Sequence, residues 1–145
     1  MNISYKVFNI NNLEYKFNPE IPSQETFSET YHFNLNSTTV KVNRPNGVTF
    51  IELKIEVKTE LGGKQEEFRS LSFDFNYIYK MGDFEKLSDD EIQDFVIKYG
   101  FENAISAVKD VIKHITSIDY QPTINIDIPS FPMQKPERMT NTQSD

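Results

Sequence analysis

The stretch Phe101-Glu-Asn-Ala-Ile-Ser-Ala-Val-Lys-Asp-Val-Ile-Lys-His-Ile115 places its apolar residues three and four positions apart. This spacing predicts an amphipathic α-helix whose apolar stripe is wide enough to cover a sheet. Ahead of it, Ser88-Asp-Asp-Glu91 has the spacing of a capping box, with acidic residues at the positive end of a helix. We therefore expect a short helix from Ser88 through Val96, ended or kinked at Tyr99-Gly100, and then the long helix.

The chain before the helix alternates apolar and polar residues, which is typical of half-buried strands. The cleanest alternation runs from Ile51 to Leu61, with Ile, Leu, Val and one Thr on one side and only Glu and Lys on the other. Asn43-Arg-Pro-Asn-Gly47 before it and Leu61-Gly-Gly-Lys-Gln65 after it predict turns. Phe68 to Tyr79 then returns as an antiparallel partner with its rings on one face. The apolar side of this hairpin needs a cover, and the helix supplies it.

Two further strand regions precede the hairpin. Tyr5 to Val7 and Leu13 to Phe17 predict two short strands, separated by a turn at Asn9-Ile-Asn-Asn12. A third pattern begins at Tyr31, with apolar residues at alternate positions, and continues to Val42 after an interruption at Asn36-Ser37. The order of elements is therefore strands first and helix last, which favours an α+β fold.

The charge of the chain excludes one class of partner. There are 22 acidic and 15 basic residues, a formal net charge of −7 at pH 7, and the acidic residues are spread along the sequence. Because the phosphates of DNA and RNA require a basic surface, we expect no nucleic-acid partner. The acidic balance indicates either simple solubility or an acidic face that docks a basic partner.

The residues that carry chemistry are few. Without cysteine, the chain can form no disulfide, thiol nucleophile or Cys-based zinc site. His32 and His114 have no partners at the spacing of a triad or metal site, Asp89-Asp90 is explained by helix capping, and Gly62-Gly63 by a hairpin turn. We expect a protein that is not an enzyme, with no catalytic residues, no metal and no cofactor.

The N-terminal segment and the hydropathy of the chain bear on its location. Met1 to Phe8 lacks the apolar core of a signal peptide, and no apolar run approaches the roughly 18 residues that cross a bilayer. The sequence therefore predicts a cytoplasmic protein that does not insert into a membrane.

Aromatic residues are unusually frequent. The chain has 12 Phe and 7 Tyr but no Trp, and many of these rings fall between Phe68 and Tyr99. They are explained either by a core that uses rings in place of aliphatic side chains or by a groove whose ring edges bind extended apolar peptide. The two explanations are compatible, since one face of a strand can pack while the other stays open.

The order of these motifs resembles the SecB-like family of preprotein chaperones from about Tyr5 to Phe131. Asn12-Leu-Glu-Tyr-Lys-Phe-Asn-Pro19 is similar to an early segment of that family, and Leu61-Gly-Gly-Lys-Gln-Glu-Glu-Phe68 to its Leu-Gly-acidic turn followed by Phe. Lys109-Asp110-Val-Ile112 stands where the family carries Arg-Glu-x-Ile. Pro122-Thr-Ile-Asn-Ile126 resembles its Pro-x-Leu-Asn-Leu.

The chain also departs from the family pattern. Ser106 replaces a proline inside the helix, and Ala107 replaces an aromatic residue near it. Where the export chaperone continues into a second helix, this sequence has a charged segment that contains proline. We therefore expect a divergent member, with a SecB-like domain over residues 1–131 and a disordered C-terminal tail over residues 132–145.

The resemblance implies an α+β, SecB-like fold, in which one long helix packs on a face of a curved four-stranded antiparallel sheet. It also implies an ATP-independent chaperone, or holdase, for unfolded or extended polypeptides, with protein export as one use and a tetramer or dimer as the assembly. The alternative is a dedicated chaperone for one antitoxin-, phage- or secretion-related protein. A small enzyme or ligand-binding barrel is a third hypothesis, which the absence of a convergent polar cluster disfavours.

The same resemblance suggests which residues would act. The predicted peptide-binding groove consists of rings from one strand and isoleucines from the C-terminal segment: Phe73, Phe75, Tyr77, Tyr79, Ile124 and Ile126. Glu66 and Glu67, in the acidic turn, are predicted to dock a translocation motor. The identity of the clients and the engagement of a motor are left open by the sequence.

Overall fold

The computed structural model describes residues 1–17, 29–61 and 67–117. They form strands β1 (Asn2–Phe17), β2 (Glu29–Asn43), β3 (Val48–Leu61) and β4 (Glu67–Gly82), followed by helix α1 (Asp89–Thr116). The strands make one antiparallel sheet in the order β1-β4-β3-β2, and α1 packs on one of its faces. The predicted α+β fold, a curved four-stranded antiparallel sheet under one helix, is confirmed.

The core lies between α1 and the helix-facing side of β3 and β4. Four cross-strand pairs at its centre are entirely apolar, namely Ile51–Tyr77, Leu53–Phe75, Ile55–Phe73 and Val57–Leu71. The helix covers them with residues that are 0 % exposed, namely Ile92, Val96, Ala104, Val108 and Ile112. Burial of apolar area is the main favourable term in folding, so this interface accounts for most of the cohesion of the domain.

A β-bulge keeps the apolar residues of β2 on the helix side. The register of β2 against β3 shifts between Leu35 and Ser37. Because one inserted residue reverses the alternation of a strand, odd-numbered residues before the shift and even-numbered residues after it face α1. The interruption at Asn36-Ser37 is therefore a bulge inside one strand.

The prediction of two short strands in β1, with a turn at Asn9–Asn12, was wrong. β1 is continuous, with register shifts between Tyr5 and Val7 and between Asn11 and Glu14. Asn12 lies in the second shift with φ 54°, and its Nδ2 donates to Asp74 Oδ2 at 2.7 Å. Asn tolerates this left-handed backbone, so the Asn-rich segment forms a bulge because β4 pairs with the chain on both sides of it.

The predicted break at Tyr99-Gly100 was also wrong, because α1 runs for 28 residues without interruption. The capping box at its start is confirmed: the Glu91 amide donates to Ser88 Oγ at 3.1 Å, and the Ser88 amide donates to Glu91 Oε1 at 3.0 Å. Gly100 lies against the Tyr79 ring, where an added Cβ would stand 2.7 Å from Cε2. The glycine therefore permits close packing of helix on sheet.

Candidate functional site

Along β1, six apolar residues share the helix-facing side of the sheet. Five of the six pair directly with buried residues of β4. The sixth, Leu13, lies in the second bulge, two positions before Tyr15. We call this set the β1 apolar row; it consists of Ile3, Tyr5, Phe8, Ile10, Leu13 and Tyr15. The two register shifts in β1 are what align it, since a strict two-residue alternation would send Phe8 and Ile10 to the face opposite the other four.

The β1 apolar row is only partly covered. Tyr5, Phe8 and Leu13 are 52 %, 36 % and 48 % exposed, while Ile3, Ile10 and Tyr15 are half-buried. β1 is an edge strand, and α1 encloses the central strands more completely than this edge. Large apolar side chains grouped on one exposed strand are typical of a surface that binds another molecule.

The exposed rings of β1 rest on buried rings of β4. The Tyr5 and Tyr77 ring centroids are 5.0 Å apart, and the Phe8 ring lies 5.2 Å from Phe75 and 6.4 Å from Tyr77. Such separations are favourable for aromatic pairs, so the core holds the exposed rings in place. Burial, and secondarily the neighbouring Tyr5, raises the pKa of Tyr77 above its ordinary value.

The structure places the residues of the predicted groove beneath this row. Phe73, Phe75, Tyr77 and Tyr79 share one face of β4, as expected, and are 2 %, 0 %, 9 % and 3 % exposed. In this arrangement they form the support on which the β1 rings lie, and their contact with a peptide stays a prediction.

The remaining predicted residues are in the C-terminal segment and the turn before β4. Ile124, Ile126 and Glu66 lie outside the described residues, as does the predicted tail over residues 132–145. Glu67 begins β4 and is exposed. The docking of a translocation motor at Glu66 and Glu67 stays a prediction.

Comparison with known proteins identifies the fold. No protein-family model matches the sequence, and no curated protein matches it. A solved structure is similar over 90 % of this chain and 93 % of its own, with a TM-score of 0.66 and 10 % sequence identity: the Mycobacterium tuberculosis Rv1957 SecB-like chaperone in complex with a ChAD peptide from the Rv1956 HigA1 antitoxin. The chain has the SecB-like fold.

At 10 % identity this likeness is one of fold, as expected for the divergent resemblance seen in the sequence. A protein of unknown function from Streptococcus agalactiae is also similar in structure, with a TM-score of 0.39 and 15 % identity, over 88 % of this chain and 98 % of its own.

The sequence did not reveal the exposed residues of the β1 apolar row as candidate site residues. A strict alternation groups Tyr5 with Val7, but the bulge at Lys6 places Val7 opposite Ile78, on the face away from the helix, and brings Phe8 beside Tyr5 instead. The available signal was the regular spacing of Phe8 and Ile10, which is out of phase with Tyr5 by one residue. Only a bulge reconciles the two patterns.

The two histidines lie far apart at the surface of the part of the chain that the structure describes. His32 Nε2 lies 3.6 Å from Glu60 Oε2 at the surface, and His114 is exposed on α1. Among residues 1–17, 29–61 and 67–117, no group of three or more His, Asp or Glu residues could hold a metal ion. In those same ranges no helix has the length and apolar character needed to cross a membrane.

Proposed function

We propose that this protein binds extended or unfolded segments of other polypeptides on the β1 apolar row and acts as an ATP-independent chaperone. The observation that carries the proposal is the exposure of Tyr5, Phe8 and Leu13 on one strand, with Tyr5 and Phe8 supported by buried rings. Burial of apolar surface is non-directional, so such a row accepts many sequences. Rings held in place by the core lose little conformational freedom on binding, which favours affinity.

The fold supports the same proposal. The Rv1957 structure, which shares this fold, is a SecB-like chaperone in complex with an antitoxin peptide. A peptide-binding role therefore has a precedent on this architecture, and in the present chain the β1 apolar row is the surface that suits it.

A dedicated chaperone for one protein is the second candidate, and the peptide in the Rv1957 complex favours it because that peptide comes from one antitoxin. The two candidates differ in client range. Suppression of aggregation for several unrelated unfolded proteins supports a general holdase. A single protein that co-purifies with this chain, without activity on other clients, supports the dedicated role.

Export and oligomerisation extend the proposal. An acidic pair at Glu66 and Glu67 would meet a basic surface of a translocation motor and so select the machine that receives the client. Charge reversal at the exposed Glu67 (Glu67→Lys) should weaken motor binding without changing aggregation suppression. Light scattering coupled to size exclusion measures whether the chain is a tetramer or a dimer.

The proposal is tested by diluting a chemically unfolded client into buffer without ATP and following its aggregation by light scattering. We expect the double variant Tyr5→Thr/Phe8→Thr to need about tenfold more protein for the same suppression, because two exposed rings are lost while β-propensity is kept. Tyr77→Asp is unsuitable, since Tyr77 is 9 % exposed and a charge there would disturb the core.

Tyr31→Thr is the matched control. Tyr31 is 42 % exposed, has the same side chain as Tyr5, and lies on β2 at the opposite edge of the sheet. The Tyr31→Thr variant should suppress aggregation as well as the unaltered protein does. Equal activity of the double variant, with its fold intact by circular dichroism, would remove the β1 apolar row from the proposal.

A further inference from the structure

The geometry of one buried ion pair points to a conformational device in the sheet: we propose that Arg69 and Glu29 set the register in which the first half of β2, Glu29–Leu35, pairs with β3. The pair acts as a lock that fits one alignment of the two strands. Its role is specificity, because two buried charges are a poor source of net stability. This role concerns the fold and is independent of the proposed function.

Apolar burial holds the two halves of β2 to different degrees. In the second half, Val40 is 0 % exposed, and its carbonyl accepts a hydrogen bond from Gln93 Nε2 on α1 at 3.1 Å. In the first half, Tyr31 is 42 % exposed, while Phe33 and Leu35 are half-buried. The register of a strand is strongly specified where one of its faces is buried. Burial therefore fixes the second half more firmly than the first.

The sequence of the first half also permits a shift of two residues. Tyr31, Phe33 and Leu35 repeat a large apolar side chain at every second position. A shift of two residues along β3 would place Tyr31 where Phe33 lies and Phe33 where Leu35 lies, so the helix-facing side would stay apolar. The bulge between Leu35 and Ser37 separates the two halves, and its enlargement would absorb the shift without moving the second half.

The contact between Arg69 and Glu29 distinguishes the two alignments. Arg69 is 1 % exposed; its Nε donates to Glu29 Oε2 at 2.7 Å, and its Nη2 donates to the other carboxylate oxygen. Its Nη1 donates to Tyr15 Oη on β1 at 3.3 Å, which holds the guanidinium from the other side. A shift of two residues would carry Glu29 about 7 Å along β3 and out of this two-pronged contact. The buried cation would then lack its partner, so the observed alignment is favoured.

A bulge in β4 fixes the base of the Arg69 side chain. The register of β4 against β3 shifts between Lys58 and Glu60, so Phe68 and Arg69 together stand opposite Thr59. The Arg69 amide donates to Thr59 Oγ1 at 3.0 Å, and Thr59 is 0 % exposed. The bulge therefore has a fixed position on β3, and the guanidinium reaches β2 from one defined point.

Pairs of introduced cysteines read the register directly, because the chain has no cysteine of its own. A disulfide needs Cα atoms within about 7 Å, which favours directly opposite residues over diagonal ones. His32→Cys/Lys58→Cys reports the observed alignment, since His32 pairs with Lys58. His32→Cys/Glu56→Cys reports the shifted alignment. Each folded protein is oxidised with glutathione disulfide, and the rate of disulfide formation is followed by thiol alkylation and mass spectrometry.

The rates are compared in the unaltered background and in Arg69→Met/Glu29→Leu, which removes both charges. In the unaltered background, the pair that reports the observed alignment should close at least about tenfold faster than the pair that reports the shifted one. In the double variant, the pair that reports the shifted alignment should close at least about tenfold faster than before. An unchanged rate, with the fold intact by circular dichroism, would overturn the role of the ion pair as a register lock.

The second half of β2 supplies the matched control. Thr39 pairs with Glu52 there, so Thr39→Cys/Glu52→Cys should close at the same rate in both backgrounds. A rate that rises in this pair as well would show that the sheet has loosened as a whole, which would also overturn the register lock.

Arg69→Lys provides the same test if the double variant does not fold. Lysine keeps the positive charge but lacks the planar fork that binds both carboxylate oxygens. The pair that reports the shifted alignment should therefore close faster in Arg69→Lys than in the unaltered background. Equal rates in these two backgrounds would mean that the two-pronged contact does not select the register.

Discussion

Arg69 is 1 % exposed, and its Nε donates a hydrogen bond to Glu29 Oε2 at 2.7 Å, across the intervening strand β3. Its Nη2 donates to the other carboxylate oxygen of Glu29, and its Nη1 donates to Tyr15 Oη at 3.3 Å. Its own amide donates to Thr59 Oγ1 at 3.0 Å. Burial alone would lower the pKa of Arg69, but the hydrogen bonds and charge interactions with Glu29 and Tyr15 together outweigh it, and the pKa is raised. Arg69, on β4, is thus hydrogen-bonded to all three other strands, through its guanidinium to β1 and β2 and through its backbone amide to β3.

Removal of this guanidinium should be strongly destabilising. Arg69→Met leaves the largely buried Glu29 carboxylate without its partner, and we expect the free energy of unfolding to fall by about 3–5 kcal/mol. Urea denaturation followed by circular dichroism measures this change in the free energy of unfolding. The double variant Arg69→Met/Glu29→Leu, which removes both charges, should recover most of the loss. A single variant within about 1 kcal/mol of the unaltered protein would show that the pair is dispensable.

Gly100→Ala should destabilise the fold although alanine is the better helix former. Helix propensity favours alanine by about 1 kcal/mol, but the new methyl group would stand 2.7 Å from Cε2 and 2.9 Å from Cζ of a buried ring. Overpacking of this kind costs about 1–3 kcal/mol, so the expected net loss is about 1 kcal/mol in urea denaturation.

A double-mutant cycle isolates the contact between Gly100 and Tyr79. In a Tyr79→Leu background the ring is gone, and Gly100→Ala should become neutral or stabilising. The same loss in both backgrounds would mean that Gly100 is required for a reason other than the ring. The Tyr79→Leu background itself starts lower, because it loses the hydrogen bond from Tyr79 Oη to the Gly100 carbonyl at 2.6 Å.

Stability should fall at alkaline pH through Tyr79. Burial raises its pKa from 10.0 to about 12, against a hydrogen bond from Asn103 that lowers it. The unfolded phenol ionises near pH 10 and the folded one near pH 12, so the contribution is complete below pH 10 and is lost as the pH rises through 12. Urea midpoints measured from about pH 9 upward should decline less steeply for Tyr79→Phe. Tyr31→Phe is the control and should decline as steeply as the unaltered protein. If Tyr79→Phe also declined as steeply as the unaltered protein, the assignment to Tyr79 would be contradicted.

Local periodicity was enough to predict most of the elements. The spacing in Phe101–Ile115 identified the helix, Ser88 and Glu91 identified its capping box, and the alternation of Ile51–Leu61 identified the central hairpin. These patterns depend on which side chains can share one face of an element. They are therefore visible in the sequence without knowledge of what the face contacts.

Two local predictions failed because distant contacts decide them. Asn9–Asn12 has the composition of a turn, but pairing with β4 on both sides keeps β1 continuous and absorbs Asn12 as a bulge. Gly100 has the appearance of a helix stop, but its place against Tyr79 makes it part of a continuous helix. In both cases tertiary packing outweighs an intrinsic preference of about 1 kcal/mol.

The sequence by itself determined the kinds of elements, their order, and the excess of rings that a core or a binding surface would use. It did not determine which rings would be exposed. That depends on the register shifts in β1 and on α1 covering the central strands more fully than the edge, so that Phe75 is enclosed and Phe8 beside it stays open. Exposure is a property of three packed elements at once, and for that reason only the tertiary structure decided which rings lie at the surface.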